Sequence, residues 1–269
     1  MCIRDRQRHV SLDIAYNVWF YYHVTQDRDF LNQYGMEMLL SIAAFWISKA
    51  TYDQQTGRYN ISGVMGPDEF HENYPNSTKA GLKNNAYTNI MVAWLFDIIT
   101  TFKAQMPQAG FQKAAQAAHF DADTSHKMTT IGHKLTLEIN RRGIIAQFEG
   151  YFNLPTLDFQ AYRQKYGDIS RMDRILKAED KTPDAYQVAK QADALMAFYN
   201  FDVPTVQAII EKMGYQLPSE YLTHNIQYYL ARTTHGSTLS RIVYAVLNQL
   251  DDNDDDALSL IHISEPTRP

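Results

Sequence analysis

The chain has 269 residues, of which 45% are hydrophobic, and a formal net charge of −5 at neutral pH. This length and apolar content are enough for one large domain or two small ones. The acidic balance offers no basic face for nucleic-acid phosphates, no apolar run approaches the roughly 20 residues that cross a bilayer, and no secretory signal opens the chain. We therefore expect a protein that binds neither nucleic acid nor membranes.

Both ends resemble translated sequencing-library adapters in opposite orientations. We predict an adapter-like scar at residues 1–6, a natural segment at 7–257 and a second scar at 258–269. Cys2, the single cysteine, lies in the first scar, so the natural segment has no thiol chemistry, in keeping with a reducing, cytoplasmic compartment. We expect an internal fragment of a longer parent protein, inactive by itself and poorly soluble because apolar helix faces would be exposed.

The predicted elements are mostly helices. Apolar side chains recur at steps of three and four over residues 10–25, 29–50, 86–102, 112–142, 184–200, 203–213, 220–232 and 239–250. Gly143 is a candidate cap for the helix over 112–142. The helical period breaks at residues 54–64, which predict a short strand or hairpin. Residues 144–154 are predicted to be extended, and a loop with one short helix follows to residue 170. Successive helices with substantial loops favour an all-α toroid.

The first candidate site lies in residues 63–72, here called the acid loop. It contains Gly66, Pro67, Asp68 and Glu69 in succession, followed by His71 and Glu72. A Gly-Pro turn is rigid, and a carboxylic acid presented on such a turn can protonate the leaving oxygen when a glycosidic bond breaks. Taken alone, the turn is better explained as a polar surface turn. The asparagine-rich stretch at residues 84–89, which opens the helix over 86–102, makes the longer pattern more specific.

The second candidate site lies in residues 233–238, here called the anion loop, directly before the helix over 239–250. A helix N-terminus offers unsatisfied N–H groups and the positive end of the helix dipole. Gly236 would allow a ligand to approach the backbone, while His235, Ser237 and Thr238 add donors. The alternative is ordinary capping by Ser237 or Thr238, which requires no ligand.

The third candidate is the pair Lys190 and Gln191, on the predicted helix over 184–200. By itself such a pair is ordinary solvated surface. The block at residues 147–152, which includes Glu149, is interpreted as structural or close to the site. The remaining histidines show no metal-ligand spacing, and no glycine-rich nucleotide loop is present.

Together the three motifs resemble glycoside hydrolase family 65, the inverting disaccharide phosphorylases such as maltose, trehalose and kojibiose phosphorylases. The resemblance spans residues 8–257 and implies part of an (α/α)6-barrel catalytic domain, with a short β-hairpin near the acid loop. It implies that Glu69 is the general acid and that Lys190 and Gln191 bind the glucosyl ring. It also implies a phosphate site formed by His235, Gly236, Ser237 and Thr238, although the family often has Ser at the position of Thr238 and Asp at that of Glu149.

The implied reaction is phosphorolysis of an α-linked glucosyl disaccharide with inversion, which gives β-glucose 1-phosphate and a released sugar. Phosphate would be the co-substrate, with no cofactor and no metal, and the full-length parent would be a homodimer, as many family members are. The particular disaccharide, and whether its acceptor sugar is phosphorylated, remain open. One alternative is an inverting, trehalase-like hydrolase, but residues 233–240 lack the carboxylate that it would need as base. The other is a non-catalytic helical sugar-binding scaffold.

Overall fold

A computed structural model describes residues 7–67, 70–236 and 238–251. Most of them are helical. The helices are α1 (Val10–Thr25), α2 (Arg28–Phe30), α3 (Met36–Lys49), α4 (Ala86–Gln105), α5 (Gln108–Ala117), α6 (Ala122–Gly132), α7 (Phe159–Tyr166), α8 (Met172–Ala178), α9 (Asp193–Asn200), α10 (Val203–Lys212), α11 (Tyr221–Leu230) and α12 (Thr238–Leu250). A π-helical turn, Leu31–Gly35, joins α2 to α3, and 3-10 turns lie at Tyr151–Asn153 and Pro183–Ala185.

Several helices begin where an Asp or Asn side chain accepts a hydrogen bond from the first turn. Asp27, Asn85, Asp121, Asp158 and Asp202 fill this role for α2, α4, α6, α7 and α10. Each side chain satisfies one of the N–H groups that the first turn leaves without an intrahelical partner. These caps define where the helices start, independently of the apolar period.

The acid loop begins at the end of a strand in a small antiparallel sheet. Its strands are β1 (Ala50–Asp53), β2 (Arg58–Val64) and β3 (Leu82–Lys83), in the order β1-β2-β3. The turn between β1 and β2 contains Gly57 with φ 68°, a conformation that glycine adopts without strain. The predicted hairpin is therefore confirmed, and β2 ends two residues before Gly66.

Helix α4 is at the centre of the main hydrophobic core. Fourteen of its residues are buried, and it contacts α1, α3, α6, α9 and α10. A helix that is apolar on all sides belongs inside a protein rather than at its surface. By contrast, α1 leaves Val10, Phe20 and Val24 at least half exposed. Within the described residues, no helix is both long and apolar enough to cross a bilayer.

A second, smaller cluster joins the far end of the acid loop to α8. Phe70, which directly follows Glu69, packs in this cluster with Ile169, Met172, Leu176 and Val188. The cluster therefore supports three segments at once: the end of the acid loop, α8 and the chain that leads to Lys190.

The predicted helix over residues 112–142 is wrong. The structure has α5 and α6 instead, separated by His119 at φ 51° and by the cap Asp121. After Gly132 the backbone pairs with β2, because Tyr59 N donates to Lys134 O at 2.8 Å. Gly143, at φ 76°, lies in a turn after Asn140 and caps no helix.

The predicted helix over residues 184–200 starts nine residues late, at Asp193, and α8 was not predicted. The backbone before Asp193 is hydrogen-bonded elsewhere: Gln187 N donates to Pro155 O, and Ala189 N donates to Arg232 O. Lys190 and Gln191 consequently lie on a loop. The other predicted helices, at residues 10–25, 29–50, 86–102, 203–213, 220–232 and 239–250, agree with the structure to within a few residues, apart from the π-helical turn.

Candidate active site

The beginning of the acid loop packs on a buried amide–carboxylate pair. Asn85 Nδ2 donates to Asp193 Oδ2 at 2.8 Å, and both residues are at least 96% buried. Gly66 lies directly against this pair: a Cβ at this position would be 1.8 Å from Asp193 Oδ2 and 2.4 Å from Asn85 Nδ2. Only glycine fits here without displacement of the pair. Asp68 and Glu69 lie outside the described residues.

The end of the acid loop is held by a second carboxylate. Asp184 Oδ1 accepts hydrogen bonds from the backbone N–H of Glu72 at 2.8 Å and from that of Asn73 at 3.3 Å. The His71 ring donates through Nε2 to the carbonyl of Tyr186 at 3.0 Å. Burial and the charge of Asp184 raise the pKa of Glu72. His71 and Glu72 thus connect the loop to residues 184–186.

The asparagines at the start of α4 organise the loop framework. Asn84, at φ 54°, donates through Nδ2 to Asn60 and to Glu149 Oε2, both at 2.7 Å. Gln147 Oε1 accepts from the backbone N–H of Asp193 at 2.5 Å. The block at residues 147–152 therefore supports the framework, as the sequence suggested. Lys83 completes an ion pair with Glu149 Oε1 at 2.7 Å.

Residues 184–193 are here called the donor segment, because they include Lys190 and Gln191, the pair predicted to bind the glucosyl ring of the donor sugar. This segment also lies beside the anion loop. Ala189 and Thr233 form a parallel β-bridge, in which Thr234 N donates to Ala189 O at 3.0 Å. Lys190 and Gln191 are half-buried and follow directly after this bridge. One segment thus contacts both the acid loop and the anion loop.

The anion loop is packed against α12. His235 has φ 50°; its Nδ1 lies 3.2 Å from Ser240 Oγ, and its ring meets the Tyr244 ring edge-on at 5.0 Å. Thr233 Oγ1 is hydrogen-bonded to Tyr244 OH at 2.8 Å. Ser237 lies outside the described residues, and for Thr238 the structure gives only its place as the first residue of α12.

Gly236 lies directly against the backbone at Ser170. A Cβ at this position would be 2.1 Å from the Ser170 carbonyl oxygen. The absence of a side chain at Gly236 therefore lets the backbone at Ser170 lie close to the anion loop. Asp168 holds that backbone, since its carboxylate accepts from Ser170 N at 2.8 Å and from Ser170 Oγ at 3.0 Å.

Comparison with known proteins identifies the family. The sequence profile of the glycosyl hydrolase family 65 central catalytic domain matches residues 2–264. The chain belongs to glycosyl hydrolase family 65. This confirms the resemblance that the three motifs indicated.

Relatives of this family 65 chain include named phosphorylases. It is 43% identical over 256 residues to trehalose 6-phosphate phosphorylase of Lactococcus lactis, covering 95% of this chain and 32% of the relative. It is 29% identical over 247 residues to kojibiose phosphorylase of Halothermothrix orenii, covering 90% of this chain and 28% of the relative. The chain thus spans about a third or less of the length of these relatives.

The fold comparison agrees with the predicted class. A solved structure described as a kojibiose phosphorylase from the human microbiome superposes with a TM-score of 0.74 and 22% identity, over 93% of this chain and 33% of the other. The chain therefore has the fold of part of an (α/α)6 barrel, as predicted.

The environment of His235 in this family 65 chain is unusual for a histidine. Burial, together with the charges of Arg241 and Arg163, lowers the pKa of His235 to about 4, although the Leu230 carbonyl acts in the opposite direction. The imidazole is therefore neutral near pH 7 while two guanidinium groups act on it. Nearby, the hydroxyl of Thr234 is buried and accepts or donates no hydrogen bond among the described residues. The positive charge of the two arginines and a buried hydroxyl without a hydrogen-bond partner both favour the binding of an anion.

Sequence reasoning missed the residues that hold the motifs together. Asp184 and Asp193 anchor the acid loop, yet the sequence motif marked only Lys190 and Gln191 between them. A signal was available, since both acids lie at the start of a helical turn, where carboxylates are favoured. In the described part of the chain, no group of three His, Cys, Asp or Glu side chains could hold a metal ion.

Proposed function

We propose that this chain is the catalytic core of an inverting phosphorylase. It would cleave an α-linked glucosyl disaccharide with phosphate to give β-glucose 1-phosphate and a released sugar. The observation that carries this proposal is the convergence of the acid loop and the anion loop on the donor segment. The name and 43% identity of the trehalose 6-phosphate phosphorylase of Lactococcus lactis support it.

In this proposal each motif has a separate task. Glu69 protonates the glycosidic oxygen, and Lys190 and Gln191 hold the glucosyl ring. Phosphate attacks C1 from the opposite face and is held by His235, Gly236, Ser237 and Thr238. Phosphate is already an anion near neutral pH, so no carboxylate base is needed to activate the nucleophile, whereas an inverting hydrolase must activate water. No cofactor other than phosphate as co-substrate is invoked.

The proposed phosphate site also explains the charges around His235. Arg163 and Arg241 act on His235 and would attract phosphate, while burial keeps the imidazole neutral until an anion arrives. Gly236 contributes through its contact with Ser170, which fixes the loop, and through its backbone N–H.

A phosphorylated disaccharide is the first substrate to test. The trehalose 6-phosphate phosphorylase of Lactococcus lactis is 43% identical to this chain, whereas the kojibiose phosphorylase of Halothermothrix orenii is 29% identical. We therefore place trehalose 6-phosphate ahead of kojibiose, maltose, nigerose and unphosphorylated trehalose.

We further propose that residues 7–257 are the family 65 part of a longer, homodimeric enzyme. The adapter-like scars at 1–6 and 258–269 lie outside the described residues. The two relatives reported above are about three times as long as the chain, which supports this view. Activity tests therefore use the full-length enzyme, obtained by extending the gene beyond both ends.

The decisive experiment incubates the full-length enzyme with these disaccharides, with and without phosphate, and follows the anomeric protons by NMR. We expect β-glucose 1-phosphate to appear only with phosphate, and Glu69→Gln to lower turnover at least 100-fold, as is typical for loss of a general acid. The exposed Asp202→Asn, which keeps its helix cap, is the matched control.

Other outcomes would select the alternatives. Release of free glucose at the same rate without phosphate would mean a trehalase-like hydrolase, with the anion loop acting only as a helix cap. Binding of the disaccharide with no turnover would mean a sugar-binding scaffold. Near-normal turnover by Glu69→Gln would remove Glu69 from the mechanism.

A further inference from the structure

The acid loop is tied at both ends to the same ten-residue donor segment. At its start, Gly66 rests on the pair formed by Asn85 and Asp193. At its end, the backbone of Glu72 donates to Asp184. Lys190 and Gln191 lie between these two aspartates in the chain, so any shift of the donor segment moves both anchors of the loop.

Both aspartates are buried acceptors. Asp193 is 4% exposed and Asp184 is 8% exposed. Among the described residues, Asp184 accepts hydrogen bonds from the backbone of Glu72, at the end of the acid loop, from the backbone of the adjacent Asn73, and from Thr182 Oγ1 at 3.0 Å. An ionised carboxylate can accept at both oxygens, whereas an asparagine offers one acceptor and two donors. An asparagine at either position would therefore keep only one accepting oxygen and would lose the negative charge that strengthens these hydrogen bonds.

The Asp193 contact also has a strict shape. The Gly66 backbone is so close to Asp193 Oδ2 that even one added carbon atom would overlap it. The carboxylate is further fixed by its own backbone, because Asp193 N donates to Gln147 Oε1 at 2.5 Å. A rotation of the Asp193 side chain would thus be transmitted directly to the residues that precede Asp68 and Glu69.

We propose that Asp193 and Asp184 are positioning residues that couple the acid loop to the donor segment and so hold the general acid in register with the donor site at Lys190 and Gln191. The proposal rests on the proposed function. Each aspartate contacts a described part of the acid loop, so a change at either position should displace the acid that the loop carries.

The test compares two leaving groups in the full-length enzyme. The disaccharide needs a proton on its departing oxygen, whereas α-glucosyl fluoride leaves as fluoride with much less help from an acid. Phosphorolysis of either substrate forms a bond from C1 to a phosphate oxygen and breaks the bond from C1 to the leaving group. A misplaced acid therefore slows the disaccharide selectively, whereas general damage slows both substrates.

We expect Asp193→Asn to lower kcat for the disaccharide about 100-fold, the size of effect that a misplacement of about 1 Å can have. The rate with α-glucosyl fluoride should fall less than about fivefold, and KM for the disaccharide should change little. Asp184→Asn should show the same split with a smaller loss. The control Asp202→Asn, an exposed carboxylate at the start of α10, should leave both rates unchanged.

A reciprocal exchange provides a rescue. In the double variant Asn85→Asp with Asp193→Asn, the amide at 193 can donate to the carboxylate at 85, and that carboxylate can still accept from Thr88 N as the helix cap. We expect at least a tenfold recovery of kcat relative to Asp193→Asn alone. A rescue of this kind also separates positioning from simple unfolding.

The outcomes separate the two proposals. If the wild-type enzyme forms no β-glucose 1-phosphate from any disaccharide, the proposed function fails. If the wild-type enzyme is active but Asp193→Asn slows both substrates equally, or leaves both unchanged, the coupling proposal is overturned and the proposed function stands. The coupling proposal is also overturned if Asp193→Asn loses disaccharide turnover selectively and the exchange with Asn85 restores none of it.

Discussion

The acid loop and the anion loop flank the same donor segment but are held in different ways. The acid loop is surrounded by buried side-chain hydrogen bonds, among them those of Asn84, Asn85, Asp184 and Asp193. The anion loop is held by a β-bridge, a ring contact with Tyr244 and the close approach of Gly236 to Ser170. The buried hydroxyl of Thr234, in the anion loop, has no hydrogen-bond partner among the described residues.

This difference suggests separate tasks. A dense network of buried hydrogen bonds restricts motion, which suits a group that must deliver a proton to one atom. A loop with an unsatisfied buried donor is suited to gain its last hydrogen bonds from a ligand. We therefore expect changes around the acid loop to affect turnover and changes around the anion loop to affect the dependence on phosphate.

The largest effect should come from Gly66→Ala. The added methyl group would overlap Asp193 Oδ2 and Asn85 Nδ2, so the start of the acid loop must shift. We expect kcat of the full-length enzyme to fall about 100-fold, because a displacement of about 1 Å in a catalytic group has that scale of effect. Steady-state kinetics with the disaccharide and with phosphate as varied substrates would measure it.

The matched control for this prediction is Gly110→Ala. Gly110 lies within α5, where a Cβ would meet Met106 and Asn32 no closer than 3.4 Å. Alanine there should leave kcat unchanged and raise the free energy of unfolding by up to about 1 kcal/mol, from its better helix propensity. Equal kinetics for the two alanine variants would contradict the importance of the Gly66 contact.

Gly236→Ala should have a smaller effect of a different kind. Its methyl group would meet the Ser170 carbonyl, but the neighbouring Asp168 is exposed and the loop there can yield. We expect KM for phosphate to rise about tenfold, equivalent to about 1.4 kcal/mol of binding free energy. The kcat value at saturating phosphate should stay within about threefold of the wild-type value. The reason is that the loop would contact phosphate equally in the ground state and in the transition state.

A fall in kcat for Gly236→Ala with an unchanged KM for phosphate would contradict the separation of tasks. Gly110→Ala again serves as the control. Together, the two glycine variants test whether the two loops act on different kinetic constants.

The sequence alone predicted the helices with a regular apolar period and a clear cap. Helix α4 is the best example, since Asn85 caps it and apolar residues follow on every side. The break between α5 and α6 was missed because His119 adopts a left-handed conformation, which its residue type does not announce. The late start of α9 was missed because Ala189 pairs with Thr233, 44 residues away in the chain.

The same limit applies to the site. Sequence motifs marked Glu69, Lys190 and His235 because their residue types and spacing resemble a known family. Asp184 and Asp193 were not assigned roles because their partners, Glu72 and Asn85, lie 112 and 108 residues away along the chain. Tertiary hydrogen bonds of this kind have no local pattern, so the positioning residues became visible only in the folded structure.

The smallest effect concerns the charge of His235 and further tests the anion loop. Its pKa of about 4 in the folded protein lies below the ordinary value of 6.5. Between these two values the unfolded chain takes up a proton that folded His235 does not, so the free energy of unfolding falls as pH drops from 6.5 to 4. A bound phosphate would raise the pKa of His235 and oppose that loss.

We expect saturating phosphate to raise the Tm of the full-length enzyme more at pH 5.5 than at pH 7.5. The difference should be on the order of 1 °C, because the unfolding entropy that divides about 1 kcal/mol grows with chain length. His235→Gln should abolish this pH dependence, whereas the exposed His126→Gln should retain it. Differential scanning calorimetry in non-phosphate buffers would measure it. If His235→Gln kept the full difference between the two pH values, the imidazole would not be a phosphate ligand. The anion loop would then depend on its hydroxyl and backbone donors.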